Sequence, residues 1–133
     1  MTTTIQYLAP GGRFDTPPLS AATRMGSLLF VSGTPGYHDD GSIDEGDFGK
    51  QFDQALVVLR EVLARGGSSL ASLLKVNVLL TRASDVAEMN LRYAAALGAG
   101  PYPARTTSVV LALPDPRMLL EIECVAVVEG AQP

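Results

Sequence analysis

Three charged residues near the end of the chain have the types and spacing to act on a small anionic molecule. Arg105 lies where a Pro-containing loop becomes a strand, and a guanidinium there can bind a carboxylate through two parallel hydrogen bonds. Glu121 and Glu123 share one face of the last predicted strand, where apolar neighbours raise a carboxyl pKa and allow it to take a proton from water. The alternative is a salt bridge, in which Arg105 pairs with an acidic residue or the glutamates pair with Arg105 or Lys75.

The other reactive side chains predict no additional chemistry. His38 lies in a turn rich in Asp and Gly, which accounts for it without a metal ion. Cys124 alternates with apolar residues, so we expect a buried and unreactive thiol. Gly33 and Gly36 match the spacing of neither a dinucleotide-binding nor a phosphate-binding loop. The sequence therefore predicts no cofactor and no metal.

The composition excludes several classes of protein. A chain of 133 residues has the size of one domain, and we expect a single domain over residues 1–133. The net charge of −4 leaves no basic surface to follow a phosphate backbone, so nucleic acid is not expected as a partner. Only 18% of the residues are charged while 47% are hydrophobic, which predicts that some apolar surface packs against another subunit.

The sequence also predicts a cellular compartment. Its one cysteine cannot form an intramolecular disulfide, which is typical of a reducing environment. Residues 1–6 lack the basic and apolar regions of a signal peptide, and no apolar run approaches the ~20 residues of a membrane span. We therefore expect a soluble, cytoplasmic protein with no membrane partner.

Turn signals divide the chain into short elements in the order ββαβαββ. The predicted elements are strands Ser20 to Met25 and Leu28 to Ser32, a helix from about Asp44 to Arg65, strand Leu74 to Leu80, a helix opened by an Asp85/Glu88 capping box, and strands Arg105 to Leu113 and Leu119 to Val128. The last two strands are expected to form a hairpin around residues 114–117. This order is typical of an α+β fold with two helices on one face of a single sheet.

Two strands indicate which side of the sheet the helices cover. Their apolar faces are Leu74, Val76, Val78 and Leu80 in one strand, and Leu120, Ile122, Cys124, Ala126 and Val128 in the other. The opposite face of the last strand combines apolar residues with Glu121 and Glu123. Because two helices cover only one side, we expect the other side to contact a second copy of the chain.

Three stretches, spread from about Leu19 to Val127, occur together in a known order and spacing. They are Leu28 to Gly33, Asn90 to Tyr93, and Pro103-Ala104-Arg105 followed by Leu113-Pro114 and Glu121-Ile122-Glu123. In this combination the chain resembles the Rid family (YjgF type, reactive intermediate deaminases). The resemblance implies a chorismate-mutase-like α+β subunit that assembles as a homotrimer, with three clefts between subunits.

The resemblance also implies an activity and a site. Active members of the family hydrolyse reactive enamines and imines of amino acids to 2-oxo acids and ammonia without a cofactor. Arg105 matches the arginine that binds the substrate carboxylate, and Glu121 matches the glutamate that activates water. The further pocket residues expected from the resemblance are Asn90, Gly33, Thr107, Leu19 and Tyr93.

Two of these positions depart from the usual family pattern. Leu19 stands where members commonly have tyrosine, and Thr107 stands where many have cysteine. The pocket is therefore expected to be drier at Leu19 and differently shaped. Three functions remain open: hydrolysis of small imines, dedicated deamination of a larger unsaturated amino acid such as an aminomuconate-like intermediate, and non-catalytic binding of a carboxylate metabolite or partner protein by the trimer.

The predicted hairpin of the last two strands has a geometric consequence. It places Arg105 opposite Ala126, so Glu121 lies about five residues further along, roughly 16 Å away at ~3.3 Å per residue. Side chains cannot span that distance within one chain. We therefore predict that each site combines Arg105 of one subunit with Glu121 of its neighbour.

Overall fold

One mixed sheet of six strands carries two helices on one face in the described part of the chain, residues 4–11 and 16–130 of a computed structural model. The strands are β1 (Gln6–Leu8), β2 (Ala22–Met25), β3 (Leu28–Thr34), β4 (Leu73–Leu80), β5 (Ala104–Val109) and β6 (Leu120–Val127), and the helices are α1 (Phe48–Arg65) and α2 (Val86–Leu97). The order across the sheet is β1-β2-β3-β6-β4-β5. The predicted fold class is thereby confirmed.

Strand β6 lies inside the sheet and pairs antiparallel with both β3 and β4. Its apolar face packs in one core with α1, and Leu120, Ile122, Cys124 and Ala126 are at most 5% exposed. The apolar face predicted for this strand is therefore confirmed. The side chain of Glu121 lies on the other face, turned away from both helices, and we call this side of the sheet the open face.

Local signals set the ends of α1 and of the first hairpin. The Asp47 side chain accepts a hydrogen bond from the Lys50 amide at 3.0 Å, so the helix begins at Phe48 rather than at Asp44. Gly67 ends it in the left-handed conformation with φ of 81°. Gly26, with φ of 62°, makes the tight turn between β2 and β3, as predicted.

The predicted hairpin of the last two strands is wrong. Strand β5 pairs in parallel with β4, and β4 separates it from β6. Arg105 therefore lies opposite Val76 rather than Ala126. The reason is the connection, because α2 joins β4 to β5 and a strand–helix–strand crossover returns the chain in the same direction. The strand also ends at Val109, not Leu113.

The structure differs from the sequence analysis in three smaller respects, one missing strand and two wrong predictions. Strand β1 was not predicted, since three residues at a sheet edge show too little alternation to be recognised. Leu74 is 48% exposed because the register shifts between Leu73 and Lys75, which moves it off the buried face. The Asp85 side chain does not cap α2, because it accepts a hydrogen bond from Arg82 Nε at 2.8 Å instead.

Candidate active site

The guanidinium of Arg105 is held by one face of α2. Its Nη2 donates to Asn90 Oδ1 at 2.7 Å, and Nη1 contacts the Met89 sulfur at 3.8 Å. The guanidinium carbon lies 4.8 Å from the centre of the Tyr93 ring, in the geometry of a cation–π contact. These contacts orient the side chain and leave Nε–H and the remaining N–H groups for a ligand.

A cavity of about 280 Å³ opens beside this guanidinium. Asn90, Tyr93, Tyr102 and Arg105 are among its walls, and the Tyr102 hydroxyl is fixed by donating to the Gly98 carbonyl at 2.7 Å. The Tyr93 hydroxyl is buried without a hydrogen-bond partner among the described residues, and burial raises the pKa of this phenol. We call Arg105, Asn90, Tyr93 and Tyr102 the arginine cluster.

Thr107 lies two residues beyond Arg105 on the same face of β5. Its hydroxyl oxygen is buried and unbonded within the described residues, and it does not line the cavity next to Arg105. Of the residues predicted for the pocket, Asn90 and Tyr93 therefore line the same cavity as Arg105, and Thr107 does not.

The carboxylate of Glu121 lies against the backbone of Gly33. Gly33 is part of a bulge in β3, where the register with β6 shifts between Val31 and Thr34, and a Cβ there would overlap the Glu121 side chain. Burial raises the pKa of Glu121, and the neighbouring charge of Glu123 raises it further. Within the described residues no hydrogen bond or ion pair holds this carboxylate, which leaves it able to act as a base.

The salt bridges considered for these residues do not form within the described part of the chain. Glu123 accepts a hydrogen bond from Asn77 Nδ2 at 2.9 Å, and Lys75 donates to Thr106 Oγ1 at 2.8 Å. Arg105 pairs with an amide oxygen rather than with a carboxylate. The two candidate groups, Arg105 and Glu121, are thus not neutralised by the partners that the alternative requires.

Arg105 and Glu121 face opposite sides of the sheet in one chain. Arg105 is in register with Val76, which is in register with Cys124, and all three side chains point towards the helices. Glu121 is three residues further along β6 and points to the open face, so the two backbones are about 14 Å apart. The separation expected from the sequence rested on the wrong register, but the two groups still do not meet within one chain.

A second and larger cavity, of about 420 Å³, adjoins the bulge that carries Gly33. Leu19, the half-exposed residue at the position expected to hold a tyrosine, is one of its walls, and Val58 and Val62 of α1 form another. We call this space the Leu19 cavity. Leu19 and Gly33 both line this cavity, whereas Arg105, which was expected in the same pocket, lines the other one.

The residues set aside at the start occupy ordinary structural positions. Cys124 is buried, and burial together with Glu123 raises the pKa of its thiol to about 12, which keeps it protonated. His38 lies in a turn and its Nε2 is 2.9 Å from Asp44 Oδ2. Among residues 4–11 and 16–130, no three metal-ligating side chains are grouped.

Comparison with known proteins identifies the family of this chain. The family model described as Endoribonuclease L-PSP matches residues 14–128, which include every predicted site residue. A solved structure of the Rid protein family, from Yersinia pestis, superposes with a TM-score of 0.86 at 28% identity, over 94% of this chain and 100% of that one. The chain belongs to the Rid (YjgF) family. The resemblance drawn from its sequence motifs is confirmed.

Curated relatives of this Rid protein align over most of their own length. The protein mmf2, mitochondrial, of Schizosaccharomyces pombe is 39% identical over 111 residues, 82% of this chain and 86% of that protein. A RutC family protein of Pyrococcus horikoshii is 37% identical over 110 residues, again 82% of this chain and 86% of that protein. The crystal structure of yeast Mmf1 superposes with a TM-score of 0.86 at 28% identity, over 95% of this chain and 100% of that one.

Sequence reasoning missed several residues that shape the site of this Rid protein. Met89 and Tyr102 contact Arg105 or line its cavity, and Val58 lines the Leu19 cavity. An aromatic residue directly before Pro103-Ala104-Arg105 was a usable signal for Tyr102. Met89 and Val58 had none, because at helical spacing they are indistinguishable from core residues.

Gly33→Ala tests the contact between the bulge and Glu121. The added Cβ displaces a flexible carboxylate, and Gly33 is not among the glycines with positive φ, so we expect Tm to change by only a few degrees. Displacing the Glu121 carboxylate, the base that the family resemblance implies, is expected to lower kcat for imine hydrolysis by about 10²-fold. If the substitution acts through Glu121, adding it to Glu121→Gln lowers kcat no further, whereas additive losses contradict this role.

Proposed function

We propose that this protein is a cofactor-independent hydrolase that converts reactive enamines and imines of amino acids to 2-oxo acids and ammonia. The main support is that α2 orients Arg105 and leaves several of its N–H groups free to bind a ligand. The Glu121 carboxylate beside Gly33 has no hydrogen-bond or ion-pair partner within the described residues. An anion-binding donor and an unpaired base are the two groups that this hydrolysis requires. Membership of the Rid family supports the same activity.

We propose that the working form is a homotrimer, in which each site joins the arginine cluster of one subunit to Glu121 of the next. In a single chain these groups lie on opposite faces of the sheet, so a second copy is needed to bring them together. Exposed apolar side chains offer a surface for such packing: Phe30 on the open face is 48% exposed, Val109 is 49% exposed and Leu111 is fully exposed.

The proposed reaction divides the work between the two groups. Arg105 binds the substrate carboxylate, and an enamine first tautomerises to the imine. Glu121 takes a proton from one water as the water oxygen bonds to the imine carbon, and it then returns the proton to nitrogen. This gives a carbinolamine, whose hydroxyl proton is then transferred to nitrogen through the same carboxylate as the C–N bond breaks, so that ammonia leaves and the 2-oxo acid forms. Because free imines already hydrolyse quickly in water, we expect a modest acceleration compared with most enzymes.

Two observations bear on the alternatives. The net charge of −4 disfavours nucleic acid as a substrate, although the matching family model carries the description Endoribonuclease L-PSP. A trimer that only binds carboxylate metabolites would need Arg105 but not Glu121. Equal rates of 2-oxo acid release with and without the protein, for imines formed in situ, would favour that binding function over hydrolysis.

The proposed compartment is the cytoplasm. Among the described residues, no helix combines the length and apolar character needed to cross a membrane. Two of the Schizosaccharomyces pombe relatives are named as mitochondrial proteins. Imaging of the tagged protein in its own cell would decide between these compartments.

Mixed trimers test whether the site is shared between subunits. Arg105→Ala and Glu121→Gln chains, co-expressed with different affinity tags and purified through both, form mixed trimers in which one of the three sites has both native groups. We expect about a third of the native activity from these mixed trimers and almost none from either variant alone. Light scattering after gel filtration checks the trimer, and absence of any recovered activity would place both groups in one chain.

A further inference from the structure

The side chain of Gln51, in the first turn of α1, is fully buried and bonds three backbone groups outside its own helix. Its Nε2 donates to the carbonyl oxygens of Asp44 at 3.1 Å and of Arg117 at 3.0 Å. Its Oε1 accepts a hydrogen bond from the Leu119 amide at 2.9 Å. Both amide N–H donors and the oxygen are therefore used, and they tie α1 to the residues just before β6.

Leu119 depends on this bond because β3 does not extend to it. The pairing of β3 with β6 ends at Thr34 and Ile122, and beyond that pair the partner of the Leu119 amide is Gln51 rather than a strand. Glu121 lies between these two fixed points of the chain. The position of its backbone therefore depends on Gln51 at one end and on β3 at the other.

A second contact joins Gln51 to the segment on which the Glu121 carboxylate lies. Gly36 packs against the backbone of Gln51 so closely that a Cβ at this glycine would overlap the Gln51 carbonyl. Three residues earlier, Gly33 packs against the Glu121 side chain in the same way. Residues 33–36 are therefore held between the first turn of α1 and the Glu121 carboxylate.

We infer that Gln51 is a positioning residue for Glu121, because it fixes both the start of the strand that carries the carboxylate and the segment on which the carboxylate lies. The inference rests on the proposed function, in which Glu121 is the base. Gln51 lies on the helix side of the sheet and Glu121 on the open face, so Gln51 contacts no reacting atom and acts through the backbone. A base is effective only within hydrogen-bond reach of its water, so small displacements of the carboxylate lower the rate.

Two substitutions of Gln51 test the role of its hydrogen bonds. Methionine has a similar length but makes none of the three bonds, so Gln51→Met is expected to lower kcat for imine hydrolysis by about tenfold with KM nearly unchanged. In Gln51→Glu, burial beside two carbonyl oxygens favours the protonated acid, which still accepts from Leu119 and donates to one carbonyl. This variant is expected to recover most of the lost activity. Equal losses in both variants would contradict the role of the bonds.

Gln54→Met is the matched control. Gln54 lies one turn further along α1, and its Nε2 donates to the Tyr37 carbonyl at 3.1 Å, so the substitution removes a similar bond that does not reach residues 117–122. We expect native kcat from this control. Gln51→Met leaves buried backbone groups unpaired and is expected to lower Tm, so each kcat is referred to the folded fraction measured by circular dichroism. A native kcat in Gln51→Met, or an equal loss in Gln54→Met, would overturn the proposal.

The titration of Glu121 gives a readout that needs no turnover and does not depend on the amount of folded protein. Carbon-13 NMR of the glutamate carboxyl groups, assigned with Glu121→Gln, measures it. We expect a lower pKa for Glu121 in Gln51→Met than in the native protein, because a displaced carboxylate is better hydrated. Gln54→Met is expected to leave this pKa unchanged.

The neighbours of Glu121 make this shift specific to its position. Within the described residues, the charge that acts on Glu121 is that of Glu123 on the same strand, and both variants retain it. The neighbouring strands present Leu79 and Ser108 in register with Glu121, and the bulge presents Gly33, none of which titrates. A change in the pKa of Glu121 therefore reports its burial.

The two measurements separate this inference from the proposed function. If the native protein accelerates the hydrolysis of no imine, the proposed function fails, and the NMR titration alone then tests whether Gln51 positions the carboxylate. An unchanged pKa of Glu121 in Gln51→Met would overturn the positioning role whatever the activity of the native protein.

Discussion

Replacing Arg105 with alanine is expected to lower kcat/KM for imine hydrolysis by about two to three orders of magnitude, mainly through a higher KM. The substrate carboxylate loses charge-assisted hydrogen bonds that hold it in both the ground state and the transition state. Arg105→Lys is expected to lose most of the same activity, since an ammonium cannot reproduce the planar fork that α2 orients. Steady-state release of 2-oxo acid from 2-iminopropanoate formed in situ measures both.

The structure provides a control for this result. Arg60 is exposed on α1, away from either half of the proposed site, and Arg60→Lys is expected to keep native kinetics. Arg105 and Asn90 are both exposed, so truncating the arginine leaves no polar group buried and Tm is expected to change little. Native kcat/KM in Arg105→Ala would show that the carboxylate is bound elsewhere.

Glu121→Gln is expected to lower kcat by about 10²-fold or more with little change in KM, down to the rate of uncatalysed hydrolysis. Glutamine has the same shape but cannot accept the proton from the attacking water. Because burial raises the pKa of Glu121 and so disfavours its charged form, removing the charge is not expected to lower Tm near pH 7. Kinetics with circular dichroism and light scattering on the same sample separate lost chemistry from lost folding.

The pH profile gives a second readout of the same residue. Native kcat/KM is expected to fall as the pH is lowered through the pKa of Glu121, which burial and Glu123 place above its ordinary value. Glu123→Gln removes one cause and keeps an oxygen for Asn77, so it should remain active with its acid limb moved to lower pH. An acid limb that is unchanged in this variant would assign the titration to another group.

The sequence predicted the elements whose signals are local. Leu120, Ile122, Cys124 and Ala126 form an uninterrupted apolar face at every second position, which predicts a buried strand face. The structure keeps this pattern because side chains on a strand alternate whatever the neighbouring strands are. The apolar stripe of α1 and its Gly66-Gly67 end are equally local. The hairpin at Gly26 follows from two residues.

Local sequence signals of this kind do not show which distant segments pair in the sheet. Residues 104–109 carry no signal that distinguishes pairing with β4 from pairing with β6. The short loop between β5 and β6 favoured a hairpin, which is the wrong pairing. The crossover through α2 determines the pairing, because it fixes the direction of β5 and its position at the edge of the sheet. The bulges at Leu74 and Gly33 were missed for the same reason, since a bulge exists only relative to a partner strand.

The sequence by itself determined the chemical groups of this protein: an arginine at the start of a strand, a glutamate set among apolar residues and an α+β pattern. The family resemblance added a leucine at the position that commonly holds tyrosine. Only the tertiary structure decided that Arg105 and Glu121 face opposite sides of the sheet, that Gly33 leaves room for the carboxylate, and that Leu19 opens on a cavity. Residue types are local properties of the chain, whereas faces, close contacts and cavities arise where segments far apart in sequence pack together.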